Sequence, residues 1–136
     1  MRRSGMLFFV LVLGCILCAC GSGSGNNTAT VSRFAGTFDG TWVDIGNGQQ
    51  GTLTTSVSNS GTITGTLANT TRGTNAVLSG TISDAGATSI TLAYPTTSNL
   101  YTGVLSLDAR SHIVGSIQTT NGVSVVGISQ LDLTKR

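Results

Sequence analysis

Residues 34–136 predict an all-β domain, an eight-stranded antiparallel up-and-down barrel. Three observations predict it. Apolar and polar residues alternate with period two through almost the whole region, the mark of half-buried strands. Short turn signals separate the alternating runs, so successive strands are antiparallel neighbours. The composition is rich in Thr, Ser, Gly and Asn, with Pro95 as the one proline and no glutamate, which disfavours helix. Disordered chains share such polar composition but lack apolar residues in register.

The first strand places Phe34, Gly36, Phe38, Gly40 and Trp42 on one face and Ala35, Thr37, Asp39 and Thr41 on the other. The second puts Leu53 and Val57 inward and Thr52, Thr54, Ser56 and Ser58 outward, before a turn at Asn59-Ser60-Gly61. The third carries Ile63, Gly65 and Leu67 and turns near Thr71-Arg72-Gly73. The fourth carries Leu78, Gly80 and Ile82 and turns at Asp84-Ala85-Gly86. The fifth carries Ile90, Leu92 and Tyr94, and Pro95 ends it by removing a ladder donor. The sixth carries Tyr101, Gly103, Leu105 and Leu107 and turns near Asp108-Ala109-Arg110-Ser111. The seventh carries Ile113, Gly115 and Ile117. Asn121-Gly122 then reads as a two-residue type I′ hairpin, because both residues tolerate positive φ. The eighth strand spans about Val123 to Leu133.

Eight such strands with one apolar face close most economically into a barrel, which removes unpaired edges. A flattened β-sandwich is the alternative. A β-solenoid is disfavoured: Gly103, Gly115 and Gly127 recur every twelve residues, but the earlier spacings drift. Gly65, Gly80, Gly103, Gly115 and Gly127 all fall mid-strand on the core face. Glycine in a strand packs nothing, so its repetition needs a reason. Either the strands coil sharply there, or the missing side chains leave a cavity, lined also by Trp42 and Tyr101, for a small apolar ligand.

Residues 1–19 have the parts of an export signal. Arg2 and Arg3 form a positive start, and Met6 to Leu17 is apolar except for Gly14 and Cys15. That stretch is short of the roughly 20 residues a spanning helix needs. Leu17-Cys18-Ala19-Cys20 resembles the lipobox of bacterial lipoproteins, with Leu three before the cysteine and a small residue just before it. Val12-Leu13-Gly14-Cys15 fits more loosely, and Cys18 follows bulky Leu17. The resemblance implies cleavage before Cys20 and lipid, palmitate included, on that cysteine. Gly21-Ser22-Gly23-Ser24-Gly25 supports this, since an anchor needs a soft tether. Residues 20–33 then form the lipidated cysteine and tether, with a reach of about 20 Å. Gly21 after the anchor is compatible with delivery to the outer membrane, on its periplasmic or surface face.

Processing at Cys20 leaves 117 residues and no free cysteine for a disulfide, a zinc site or a thiol nucleophile. Arg33, Arg72, Arg110, Lys135 and Arg136 balance Asp39, Asp44, Asp84, Asp108 and Asp132. With no basic stripe, nucleic-acid binding lacks an electrostatic footing. His112, the single histidine, falls on an outward parity, so neither a serine nucleophile nor a metal has its usual partners. Of the aspartates, Asp39 and Asp132 face out and the others sit at strand ends or turns. Calcium at a turn cluster, for example near Asp44-Ile45-Gly46-Asn47, is disfavoured. No cofactor is expected. Outward Thr and Ser also argue against a membrane-spanning barrel, which needs an apolar band and aromatic girdles.

Gly40-Thr41-Trp42 in the first strand is similar to the Gly-x-Trp signature of the lipocalins. Those proteins belong to the calycin barrels, whose eight-stranded architecture avidins and fatty-acid-binding proteins share. The resemblance implies that Trp42 closes one barrel end, with Lys135 or Arg136 supplying a cation over its ring. The lipocalin cysteine pair and the helix after the barrel are missing, and no avidin-like ring of tryptophans exists. The expectation is therefore a non-enzymatic barrel anchored to the envelope membrane through Cys20. It binds a small apolar ligand or serves as a structural or protein-interaction module for an envelope protein. A cavity open at one barrel mouth favours the first role, and a filled interior with an exposed edge favours the second.

Replacing Cys20 with Ser should abolish metabolic labelling by radioactive palmitate; labelling that persists places the modified residue at Cys15 or Cys18.

Overall fold

The computed structural model describes residues 30–120 and 122–136. The signal segment, the lipid site at Cys20 and the tether as far as residue 29 lie outside the described residues. Eight strands follow one another: β1 (Gly36–Asp44), β2 (Gln50–Val57), β3 (Thr62–Asn69), β4 (Thr74–Ile82), β5 (Ala87–Ala93), β6 (Ser98–Leu107), β7 (His112–Thr120) and β8 (Val125–Lys135). Each pairs antiparallel with its sequence neighbours, and β1 also pairs with β8, so the sheet is a closed up-and-down barrel and not a sandwich.

The alternation in sequence becomes an alternation in burial. Along β2, Gly51, Leu53, Thr55 and Val57 are buried and Gln50, Thr52, Thr54 and Ser56 exposed. Leu and Ile from β2 to β8, with Phe38 and Trp42 from β1, fill the interior. Each such side chain contributes roughly 1.5–3 kcal/mol relative to exposure. Voids of about 10 and 20 Å³ lie inside, lined almost wholly by apolar side chains. Neither holds more than about one water, since a water needs roughly 10–15 Å³.

The end where β1 begins is shut. Phe34 and Phe38 are fully buried there. The Arg33 guanidinium lies 4.7 Å from the Phe34 ring centroid, and Lys135 Nζ lies 5.9 Å from that of Phe38. Lys135 also donates to the Ala35 carbonyl at 2.8 Å. Ser32, which the sequence assigns to the tether, is buried and donates its N–H to the Asn59 carbonyl at 2.9 Å. The polypeptide therefore enters the barrel at its shut end.

Three turns at this end share one design. They begin at Ser58, Ser83 and Asp108. In each, the first residue's side-chain oxygen accepts the N–H four residues on: Thr62 at 3.0 Å, Ala87 at 3.1 Å and His112 at 2.8 Å. The fourth residue donates back to the first residue's carbonyl and has positive φ. Gly61 (+80°) and Gly86 (+88°) take that conformation without a Cβ penalty, whereas Ser111 (+63°) does not. The N–H groups of His112 and then Arg110 hold the Asp108 carboxyl below its ordinary range, which fixes the turn that contains Ser111.

The β7–β8 connection departs from the two-residue hairpin. Gly122 has φ +90°, but Thr120 pairs with Val125 after a register shift between Thr119 and Thr120, and β8 begins at Val125. The core decides this. A two-residue turn at Asn121-Gly122 would set Ile113 opposite Gln130 and turn Leu131 and Leu133 to solvent. The observed register sets Ile113 opposite Leu133. Burying those leucines outweighs the local turn preference.

Gly65, Gly80, Gly103 and Gly115 are places of close strand approach. A Cβ on Gly65 would stand 2.2 Å from the Thr54 carbonyl oxygen, on Gly80 2.1 Å from that of Ser89, and on Gly103 2.3 Å from that of Ser116. On Gly115, with φ +150°, it would stand 2.7 Å from the Val104 oxygen. The space these side chains leave is filled by the neighbouring strand's backbone, which is how so small a barrel coils.

Two substitutions should therefore act in opposite directions. Gly103→Val forces β6 away from β7 and should cost on the order of 2 kcal/mol, a drop in Tm of about 8–16 °C, while Thr102→Val on the outer face changes little. Ser111→Gly should raise stability by about 1 kcal/mol by removing the left-handed serine. Thermal melts read both; a harmless Gly103→Val would contradict the close approach, and a destabilising Ser111→Gly the turn strain.

Candidate functional site

The opposite end is open. It is a bowl of about 690 Å³, within the roughly 300–1,000 Å³ usual for small-molecule sites. Its floor is Trp42, which also borders the small void beneath it. The interior below is packed, so the space for a ligand lies above the indole. The walls come from the strand ends. The β1–β2 side supplies Asp44, Asn47 and Gln49, the β3–β4 side Asn69, Arg72 and Thr74, and the β5–β6 side Tyr94, Asn99 and Tyr101. Thr119 from β7 and Gly127 from β8 complete the ring.

Local bonds fix several of these groups. The first oxygen of Asp44 accepts the N–H of Gly46 at 2.9 Å and of Asn47 at 3.3 Å, an Asx turn that starts the β1–β2 loop. Both functions of the Asn69 amide are committed: Oδ1 accepts the Arg72 N–H at 3.0 Å and Nδ2 donates to Gln49 Oε1 at 2.7 Å. Those bonds explain why a polar side chain is buried to 2% exposure at the end of β3. Burial pushes the Tyr94 hydroxyl above its ordinary pKa, and a hydrogen bond with Asn69 pulls it part of the way back. Burial also raises Tyr101, with the Tyr94 phenol and the Asp44 carboxylate acting in the same direction.

Of the residues the sequence singles out, Trp42, Tyr101 and Gly127 meet at the bowl, while Gly65, Gly80, Gly103 and Gly115 do not line it. The lining is mainly amide, hydroxyl and charge, where the sequence predicts an apolar cavity. Lys135 and Arg136 do not reach Trp42. The β1–β8 register sets Trp42 opposite Leu131 and Phe38 opposite Lys135. The cation therefore sits about 13 Å further along, at the shut end. Arg136 instead pairs with Asp39 on the outer face, and this hydrogen bond holds the Asp39 carboxyl below its ordinary range.

Gly51 is a contributor the sequence reading misses. A Cβ there would stand 1.8 Å from the Ala68 carbonyl oxygen and 2.8 Å from Trp42 Nε1, so only glycine lets the indole lie edge-on against β2. Extending the β2 alternation back by one step from Leu53 would find it. Trp42 Nε1 is buried and has no hydrogen-bond partner among the described residues. Such an unmet donor costs about 1–3 kcal/mol.

On the outer face, cross-strand register lines up three polar side chains. His112 Nδ1 lies 3.4 Å from Asp132 Oδ1, and Nε2 lies 3.5 Å from Thr134 Oγ1. The order resembles a nucleophile, base and orienting acid, but the groups lie on an exposed strand surface. A surface ladder explains them through pairing of His112 with Thr134 alone. Among the described residues no group of three His, Cys, Asp or Glu side chains is placed to hold a metal ion.

Tyr94 and Tyr101 are the chain's two tyrosines and both line the bowl, so alkaline titration reports on it directly. Phenolate absorbance of the folded protein should rise with midpoints above 10.0, and return to about 10 in urea. The folded state holds these protons longer, so stability should fall as pH rises past 10 toward the folded midpoints. Midpoints unchanged by unfolding would contradict the buried placement.

No family model, no curated protein and no solved structure matches this chain, so its own geometry and chemistry carry the functional reading.

Proposed function

We propose that this chain is a lipid-anchored lipoprotein of the cell envelope whose barrel binds a small polar molecule at its mouth without catalysing a reaction on it. The observation that carries the reading is the open bowl above Trp42, in a barrel whose interior is otherwise filled. Barrel closure favours this role over a protein-interaction module, because no strand edge is left to pair with a partner. The polar lining moves the expected ligand from apolar to polar.

The anchor suits this arrangement. Residues 30–35 join the barrel at its shut end, so lipid on Cys20 attaches on the side opposite the mouth. Attachment at that end keeps the anchor clear of the mouth, on either face of the outer membrane.

Native mass spectrometry of the processed lipoprotein extracted from its own cells tests the reading. The expected result is a small-molecule adduct that is lost on unfolding and reduced by Gly127→Val. Placed there, a Cβ would stand 3.3 Å from Thr119 Cγ2 and 3.6 Å from Asp44 Oδ2, inside the bowl. Lipidated polypeptide alone in every preparation would overturn it, and a retained protein partner would favour the interaction role.

A further inference from the structure

The polar atoms around the mouth have their roles set before any ligand arrives. Asp44 has one oxygen held by the loop, and the other stands 3.6 Å from where a Cβ on Gly127 would lie. The missing side chain of Gly127 leaves room in front of that acceptor. Gln49 presents its Nε2 donors, because its Oε1 is taken by Asn69. Half-buried Tyr94 adds aromatic surface among these groups, above the largely buried rings of Trp42 and Tyr101. A ligand that matches must offer hydroxyls acting as both donor and acceptor, together with flat C–H patches to cover aromatic rings.

Resting on the reading of the mouth as a ligand site, we propose that the ligand is a neutral carbohydrate of one or two sugar units. Carboxylate and amide groups pair with sugar hydroxyls, and prepositioned groups bind with less ordering cost. Other classes fit less well. A fatty acyl chain needs a deep apolar cavity, and the space below Trp42 amounts to voids of about 10 and 20 Å³. A polyanion needs several cations, and among the described residues Arg72 is the one cation lining the mouth, alongside Asp44.

Trp42 is the chain's only tryptophan, so its emission reports occupancy of the mouth. The processed lipoprotein, in a detergent without a sugar headgroup, is titrated with neutral mono- and disaccharides, and in parallel with nucleosides, amino acids and a short fatty acid. The expected result is a saturable emission change with at least one sugar. Asp44→Asn and Gln49→Glu, which keeps the oxygen that accepts from Asn69 and removes the donors, should each weaken it by about tenfold or more while Tm moves by only a few degrees. Saturation by another class and not by sugars overturns the carbohydrate assignment and leaves the mouth a ligand site. No response to any class, with no retained adduct in native mass spectrometry, overturns both. Sugar binding that ignores both substitutions overturns the assignment to these mouth groups.

Discussion

The pairing of β1 with β8 is the constraint on which the rest of the molecule depends. It runs from Phe38 opposite Lys135 to Asp44 opposite Ser129 and converts a meander into a closed wall. An eight-stranded sheet without it would expose two rows of unpaired backbone groups and open its apolar face to water. The seam is tight enough that a Cβ on Gly40 would stand 1.9 Å from the Asp132 carbonyl oxygen. Glycine at that position is a physical requirement of closure, and two residues on, Trp42 lies inward as the floor of the mouth. The Gly-x-Trp arrangement thus joins the seam to the site.

Closure also makes the two ends differ in kind. The shut end is regular: three turns of the same design, a phenylalanine plug and cations over its rings. The open end is irregular. Its loops are held by an Asx turn at Asp44 and by the bifunctional amide of Asn69, and the β7–β8 ladder slips there. Regular turns stabilise and irregular ones hold polar side chains in fixed places around a cavity, as is usual for sites carried on loops over a rigid scaffold. The chain enters at the shut end, opposite the mouth.

The barrel was legible in sequence because its cause is periodic. Alternation of residues such as Leu53, Thr54, Thr55, Ser56 and Val57 sets the faces, and the turn residues set strand number and direction. The mouth was less legible because its residues sit where the alternation stops. Asp44, Asn69 and Asn99 have the composition of turn formers, and nothing local distinguishes an asparagine that ends a strand from one that lines a cavity. Lys135 was assigned to the wrong ring for a related reason: partners across the seam are 97 residues apart in sequence for Phe38 and Lys135, and only the closed register brings them together. The Asn121-Gly122 turn misled in the opposite way, a local preference overruled by burial of Leu131 and Leu133. The alternation sets the parity of the inward glycines, but whether they open space or admit a neighbouring backbone depends on strand separation, which sequence does not encode locally.

Residue-resolved amide hydrogen exchange across the β1–β8 seam tests closure most directly. Closure predicts that amides along both strands from Gly40 to Asp44 and from Ser129 to Leu133 are protected as strongly as those in the middle of β4. Alternate amides of β1 and β8 exchanging at loop rates, while β3 to β6 stay protected, would mean an open sheet with two free edges, and the barrel and the mouth it frames would both be wrong.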